Sequence, residues 1–210
     1  LFRSPLLKVL HDNGINYIRI RIWNDPFNAD GETYGGGGND VSTGVEIAKE
    51  AAQYDMKVLL DFHYSDFWAE PAVQLIPKAW KKDVNNTEKM CSDVYDFTKE
   101  SIQKFKDGGA NIGMVQVGNE ITNGLLGIYS NRDKGESFNV IWGDKKKSTE
   151  VNKYLKAGIK AVRECTPQAL VALHLETPNV WKYKTIMNTW KRDNVDYDVL
   201  GSSYYPFWSI

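Results

Sequence analysis

The sequence predicts a parallel α/β barrel of the (β/α)8 type. Three observations point there. Short β-rich runs alternate with longer helical patterns along the whole chain. No Ser/Pro-rich linker or low-complexity tract interrupts the alternation. Polar and aromatic residues gather just after each predicted strand, at five separate places. A barrel builds its site from several strand ends, whereas an open doubly wound sheet gathers ligand contacts at one switch point.

The elements follow in order. Ser4 reads as an N-cap and Pro5 as a first helical position, with Leu6, Leu7 and Leu10 as an apolar stripe and Asn13-Gly14 as the stop. Tyr17–Ile22 (YIRIRI) alternates with period two and reads as the first strand. The loop after it carries the glycine run Gly35 to Gly38; lacking a following Gly-Lys-Ser/Thr, it reads as a pliable surface loop rather than a phosphate loop. Asp40 or Ser42 caps a helix through Tyr54, with Val45, Ala48 and Ala52 on one face. Val58–Phe62 is the second strand. Thr87 starts a long helix through Lys106, with Met90, Val94, Phe97 and Phe105 near one face and Gly108-Gly109 behind it. Met114–Val117 is the third strand. A helix from Thr149 to Cys165 carries Val151, Leu155, Ile159 and Val162 in one stripe and stops before Pro167. Leu170–Leu173 is the fourth strand, Pro178–Trp190 a less regular helix, and Val199–Tyr204 the fifth strand.

Composition narrows the function. The 210 residues carry 26 Lys+Arg against 27 Asp+Glu, a net charge of −1. That balance removes the electrostatic case for nucleic acid or an anionic membrane. No apolar run approaches the roughly 20 residues a membrane span needs. Two cysteines, Cys91 and Cys165, are too few for a disulfide scaffold and read as buried small apolar residues. The one bias is aromatic, with 7 Trp and 11 Tyr.

The strand ends hold the chemistry. Glu120 follows an apolar strand and the pair Gly118-Asn119. A carboxyl buried there has its pKa raised and can act as a general acid, while the neighbouring amide orients a hydroxyl. Arg19 and Arg21 share one face of the first strand, with Ile18, Ile20 and Ile22 on the other. Arg21, nearer the strand's C-terminal end, is the expected site residue; Arg19 is expected to form a core ion pair. His63 and His174, with Asp61 or Glu176, match no zinc spacing, so hydroxyl recognition or a structural hydrogen bond is expected and no metal. Trp23, Trp68 and Trp208 lie in strand-end loops, where such rings stack on sugar C–H faces. Trp181 and Trp190 are expected to pack; Trp80 and Trp142 stay open.

Together these residues resemble glycoside hydrolase family 53, the arabinogalactan endo-β-1,4-galactanases. The matching stretches are Tyr17 to Pro26 (YIRIRIWNDP), Tyr34 to Asp40 (YGGGGND), Asp61 to Pro71 (DFHYSDFWAEP), Val115 to Gly124 (VQVGNEITNG) and Gly201 to Trp208 (GSSYYPFW). One departure is Glu70, where the family often has Asp. The resemblance implies a (β/α)8 barrel with retaining chemistry and catalytic glutamates at the ends of the family's fourth and seventh strands. By that match Glu120 is the general acid/base, and Asn119 binds the sugar 2-hydroxyl at the cleavage point. Arg21 resembles an arginine near the nucleophile. Asp66 and Trp68, with Asp61 and His63, fall in the cleft-lining stretch; His174, Tyr204 and Trp208 match the ends of the next two strands.

Anchored this way, residues 1–210 read as a partial barrel domain covering the family's strands two to six, continued at both ends. The nucleophile then lies outside these residues, and Glu176, on the family's strand five, is not promoted to it. These residues alone are expected to be inactive. The resemblance implies no cofactor in this stretch, with room for a structural calcium on later C-terminal loops. It further implies a β-1,4-galactan or type I arabinogalactan substrate, a monomer, and a secreted, cell-surface or periplasmic location.

Overall fold

The computed structural model describes residues 6–208, the side chain of Trp208 excepted. The predicted caps Ser4 and Pro5 lie outside the described residues. The first elements are α1 (Leu6–Asp12), β1 (Tyr17–Ile22), α2 (Val41–Ala52) and β2 (Lys57–Phe62). Next come α3 (Thr87–Asp107), β3 (Ile112–Val117) and a small antiparallel hairpin, β4 (Gly124–Leu125) with β5 (Ile128–Tyr129). The chain continues through α4 (Asn139–Trp142), α5 (Lys145–Cys165), β6 (Leu170–Glu176), α6 (Val180–Arg192) and β7 (Val199–Ser203). The five main strands form one sheet in chain order, β1-β2-β3-β6-β7, every pair parallel. This is five-eighths of a (β/α)8 barrel wall.

Alternation along each strand sorts the two faces. Val58, Leu60 and Phe62 of β2, Val115 and Val117 of β3, and Val171, Leu173 and Leu175 of β6 join the core beneath the helices. Between them Asp61, Gln116 and His174 are buried on the opposite, inner face. The register sets Arg21 beside Asp61, and Asp61 beside Gln116. Inward-pointing polar groups thus meet across neighbouring strands.

The helices start where side chains can cap them. Asp40 accepts from Ser42 N at the start of α2, Asn86 from Lys89 N at α3, Asp144 from Lys147 N at α5 and Asn179 from Lys182 N at α6. Helix α5 therefore begins four residues earlier than the apolar stripe indicates, because Asp144 supplies the cap. Its stripe of Val151, Leu155, Ile159 and Val162 is buried as expected. In α2 the buried residues are Val41, Gly44, Ala48 and Ala51, while Val45 and Ala52 are only half-buried. Gly44 lets β1 approach: a Cβ there would lie 2.9 Å from Ile22 Cδ1. In α1 Leu7 packs into the core but Leu6 is exposed.

Several packing expectations need correction. Trp23 is fully buried, not a stacking surface, because Phe67 and Trp68 close over it. Trp181 is 63% exposed and leans edge-on against Phe138 rather than filling the core. Trp80, Trp142 and Trp190 are core residues. Cys91 and Cys165 are free and half-buried rather than buried. The glycine run is not merely pliable. Gly36 lies flat on Trp23, where a Cβ would stand 2.4 Å from the indole.

Candidate active site

A cleft of about 510 Å³ opens at the C-terminal ends of the strands. Its lining includes Arg19, Arg21, Asp61, His63, Trp68, Asn119, Glu120 and His174. The structure therefore brings together most of the residues singled out from the sequence. Ser203, Tyr205 and Glu70 join them.

Glu120 sits just past β3 in a left-handed conformation, φ 47° and ψ 48°. Gly118, two residues earlier, has φ 84°. A side chain other than Gly, Asn or Asp seldom adopts this backbone, and such residues persist where surrounding contacts over-determine them. Here Gln74 donates to Asn119 O at 2.9 Å, and the buried 3₁₀ turn Ile121–Asn123 follows directly. The turn lifts the Glu120 carboxyl out of the strand into the cleft. Burial pushes this carboxyl above its ordinary value, and Glu176 and Glu70 add to the rise. The Ser203 hydroxyl, which donates to Oε1, and Arg19 pull it back.

Behind Glu120 lies a polar network. Asn119 Nδ2 donates to Ala69 O at 2.8 Å, and its Oδ1 accepts from Arg19 at 2.8 Å. Gln116 donates to Asp61 Oδ1 at 2.5 Å and to Gly118 O at 2.9 Å, while its own oxygen accepts from Arg19 at 3.1 Å. Arg19 pairs with the fully buried Asp61 at 2.8 Å. His63 accepts from the Ala69 N–H at Nδ1, which leaves Nε2–H to donate to Asp61 Oδ2 at 3.2 Å. His174 is buried, and its pKa is pushed down to about 4 by burial and by Arg19. Both ring nitrogens of His63 and of His174 have protein partners. Among the described residues no group of three or more His, Cys, Asp and Glu gathers as ligands would.

The two arginines divide the work differently from the sequence expectation. Arg19 does form the ion pair, yet it also reaches Asn119 and lines the cleft. Its side chain runs forward along the strand, past its own register partner Leu59, to the level of Asp61. The Arg21 guanidinium sits over the Trp68 ring, 3.9 Å from its centre, and is held by Asn39 Oδ1 at 3.2 and 3.3 Å. Asn39 comes from the glycine-rich loop, so that loop positions a cleft residue. Trp68 keeps 44% of its surface exposed beside Arg21.

Some expected site residues lie elsewhere. Asp66 does not line the Glu120 cleft. It accepts from the backbone N–H groups of Asp25 and Lys78 and borders a separate hollow with Tyr34 and Lys78. Tyr204 is 67% exposed and outside the cleft lining, where Tyr205 takes its place. The side chain of Trp208 lies outside the described residues. Gln116 and Ser203 were missed in the sequence. A single amide inside an apolar strand was the available signal for Gln116; nothing separated Ser203 from Ser202.

Comparison with known proteins agrees with this geometry. Residues 3–210 match the profile of Glycosyl hydrolase family 53. An endo-beta-1,4-galactanase of Bacillus subtilis (strain 168) is 44% identical over 98% of this chain, which spans 44% of that protein. The solved GH53 catalytic domain of Ignisphaera aggregans superimposes with TM-score 0.85 at 34% identity, covering 98% of this chain and 53% of that one. A fungal β-1,4-galactanase structure superimposes with TM-score 0.77 at 28% identity, over 98% of this chain and 57% of that one. The chain thus spans about half the length of these relatives. A strand-end carboxyl in an aromatic cleft, on this barrel and with a family match over almost every residue, has one classification: the chain belongs to glycosyl hydrolase family 53.

Proposed function

We propose that the full-length protein hydrolyses internal β-1,4-galactosidic bonds of galactan and arabinogalactan with retention of configuration, with Glu120 as general acid/base. The observation that carries this reading is the environment of Glu120. Its carboxyl stands at a strand end, in the cleft, with a pKa raised by burial. A general acid needs this, since it must hold its proton near neutral pH until the leaving oxygen takes it.

The neighbouring groups fit supporting roles. Asn119 lines the cleft and spends one amide N–H on Ala69, which leaves its second N–H for a sugar 2-hydroxyl. Trp68, backed by Arg21, offers an exposed ring face for a sugar. Asp61, His63 and Gln116 hold Arg19 and Asn119 in place. Glu176 is tied to Lys182 at 3.1 Å, both half-buried, so it is an ion-pair residue here rather than a nucleophile. In the proposed mechanism a carboxylate on a strand beyond these residues attacks the anomeric carbon while Glu120 protonates the leaving oxygen. Glu120 then deprotonates the water that frees the sugar. Retention requires the two carboxyls to stand ~5 Å apart. A polymer too large to cross a membrane is met outside the cell, so the proposal includes a secreted, surface or periplasmic location. No helix among the described residues is long and apolar enough to cross a membrane.

The test is reducing-sugar release by the full-length protein on a polysaccharide panel. β-1,4-Galactan is expected to be cleaved well ahead of glucan and mannan. Preferential cleavage of either of the others, or binding of galactan without cleavage, would refute the proposal.

A further inference from the structure

The Ser203 hydroxyl lies between two groups that change their protonation needs. Its Oγ donates to Glu120 Oε1 and sits 2.9 Å from His174 Nε2. A hydroxyl has one proton to give. While Glu120 is ionised, that proton goes to the carboxylate, and Oγ must accept from His174 Nε2–H. Nδ1 is then bare. It accepts the Glu120 backbone N–H at 3.3 Å and faces Gln116 Nε2 at 3.3 Å.

Protonating Glu120 reverses both bonds of Ser203. The carboxylic O–H now donates to Ser203, Ser203 donates to His174 Nε2, and the ring proton belongs on Nδ1. A partner waits there: Asn119 Oδ1 lies 3.0 Å from Nδ1, a contact between two acceptors unless Nδ1 carries a proton. His174 Nδ1 therefore has one partner for each tautomer: the Glu120 N–H when it is bare and Asn119 Oδ1 when it carries the proton. The two states differ by one proton, gained from or returned to solvent, and the ring is neutral in both.

We propose that Ser203 and His174 are positioning residues that couple the protonation of Glu120 to the tautomer of His174, satisfying the Glu120 carboxyl in both of its states. The inference rests on the reading of Glu120 as acid/base, which must pass through both states in each cycle. Other charged and titratable groups facing the pair are Arg19 from β1, Asp61 from β2, His63 and Glu70 from the loop after β2, Glu176 from β6 and Tyr183 from α6. Ser203 Oγ hydrogen-bonds both the Glu120 carboxyl and the His174 ring, so the coupling runs through Ser203.

The experiment is NMR of the full-length protein with ¹⁵N-labelled histidine, read from neutral pH down to the point where the His174 ring itself begins to charge. The Nδ1 and Nε2 shifts of His174 report the tautomer directly. Nε2–H is expected above the Glu120 titration and Nδ1–H below it, with the same midpoint as a ¹³C-carboxyl probe of Glu120. Ser203→Ala should abolish the switch, Ser203→Thr should keep it, and Glu120→Gln should remove its pH dependence. A single tautomer throughout, or an unaltered switch in Ser203→Ala, overturns the proposal. No galactan enters this measurement. A protein that switches without cleaving galactan would keep the coupling and lose the functional reading; one that cleaves without switching would do the reverse.

Discussion

Replacing Arg19 with Met tests the network behind the acid/base. Arg19 and Asp61 are 2.8 Å apart, with Asp61 fully buried and the Arg19 side chain 46% exposed. The two partners are therefore unequal. Arg19→Met leaves a charged carboxylate buried with only His63 and Gln116 as donors. Breaking a buried pair costs about 3–5 kcal/mol, and the two remaining donors place this one near the lower end, about 3 kcal/mol. For a full-length protein about twice as long as these residues, that lowers the melting temperature by roughly 3–6 °C. The assay is thermal unfolding of the full-length protein by calorimetry, wild type against Arg19→Met, with Arg19→Met/Asp61→Leu as a third arm. Removing both charges is expected to recover part of the loss, since no orphaned carboxylate remains. A loss of only ~0.5 kcal/mol in Arg19→Met, the value for an exposed pair, would refute the claim that this ion pair organises the floor of the cleft.

Three further outcomes follow from the same geometry. Gly118→Ala forces a φ of 84° on a side chain whose Cβ would stand 2.6 Å from Ile121 Cγ2; a stability loss of about 1–3 kcal/mol is expected in urea unfolding, and a neutral result would contradict the strained turn. Trp68→Ala removes the exposed ring over Arg21, so galactan KM is expected to rise roughly tenfold, about 1.5 kcal/mol of lost stacking, with kcat little changed. His174 takes up its proton at about 4 in the folded protein against 6.5 when free. The unfolded chain therefore binds that proton first, and stability falls as pH drops from 6.5 to 4, by up to about 3 kcal/mol. The urea midpoint of wild type should decline over that window and flatten below it, and His174→Gln should remove the decline. An equal slope in both proteins would sink this assignment; Glu120, whose raised pKa acts in the opposite sense, is common to both.

Much of the fold was legible because barrel strands and helices write their periods plainly. Tyr17–Ile22 matches β1 residue for residue, and β2, β3 and β7 differ by a residue or two at one end. Strand β6 runs three residues beyond its apolar core, to Glu176, since pairing with β7 continues through His174 and Leu175. The short α4 and the β4–β5 hairpin were not legible, being too brief to carry a period. In the site, residue type and strand-end position located Glu120, Asn119, His63 and His174. They could not locate Ser203, whose importance comes only from the approach of β7 to β6. Nor could they separate Trp68 from Trp23: both stand in strand-end loops, and only the packing of Phe67 shows which ring is covered. Spacing along a strand points Arg19 to the core alone, because it ignores how far a guanidinium can reach.

The central claim is that Glu120 is the acid/base of a galactan-cleaving site. Its most direct test is the Glu120→Gln variant of the full-length protein, folded as judged by circular dichroism and assayed on β-1,4-galactan. Turnover is expected to fall by ~10²–10⁴, the usual contribution of a general acid/base. Galactan cleavage at the wild-type rate would contradict the account.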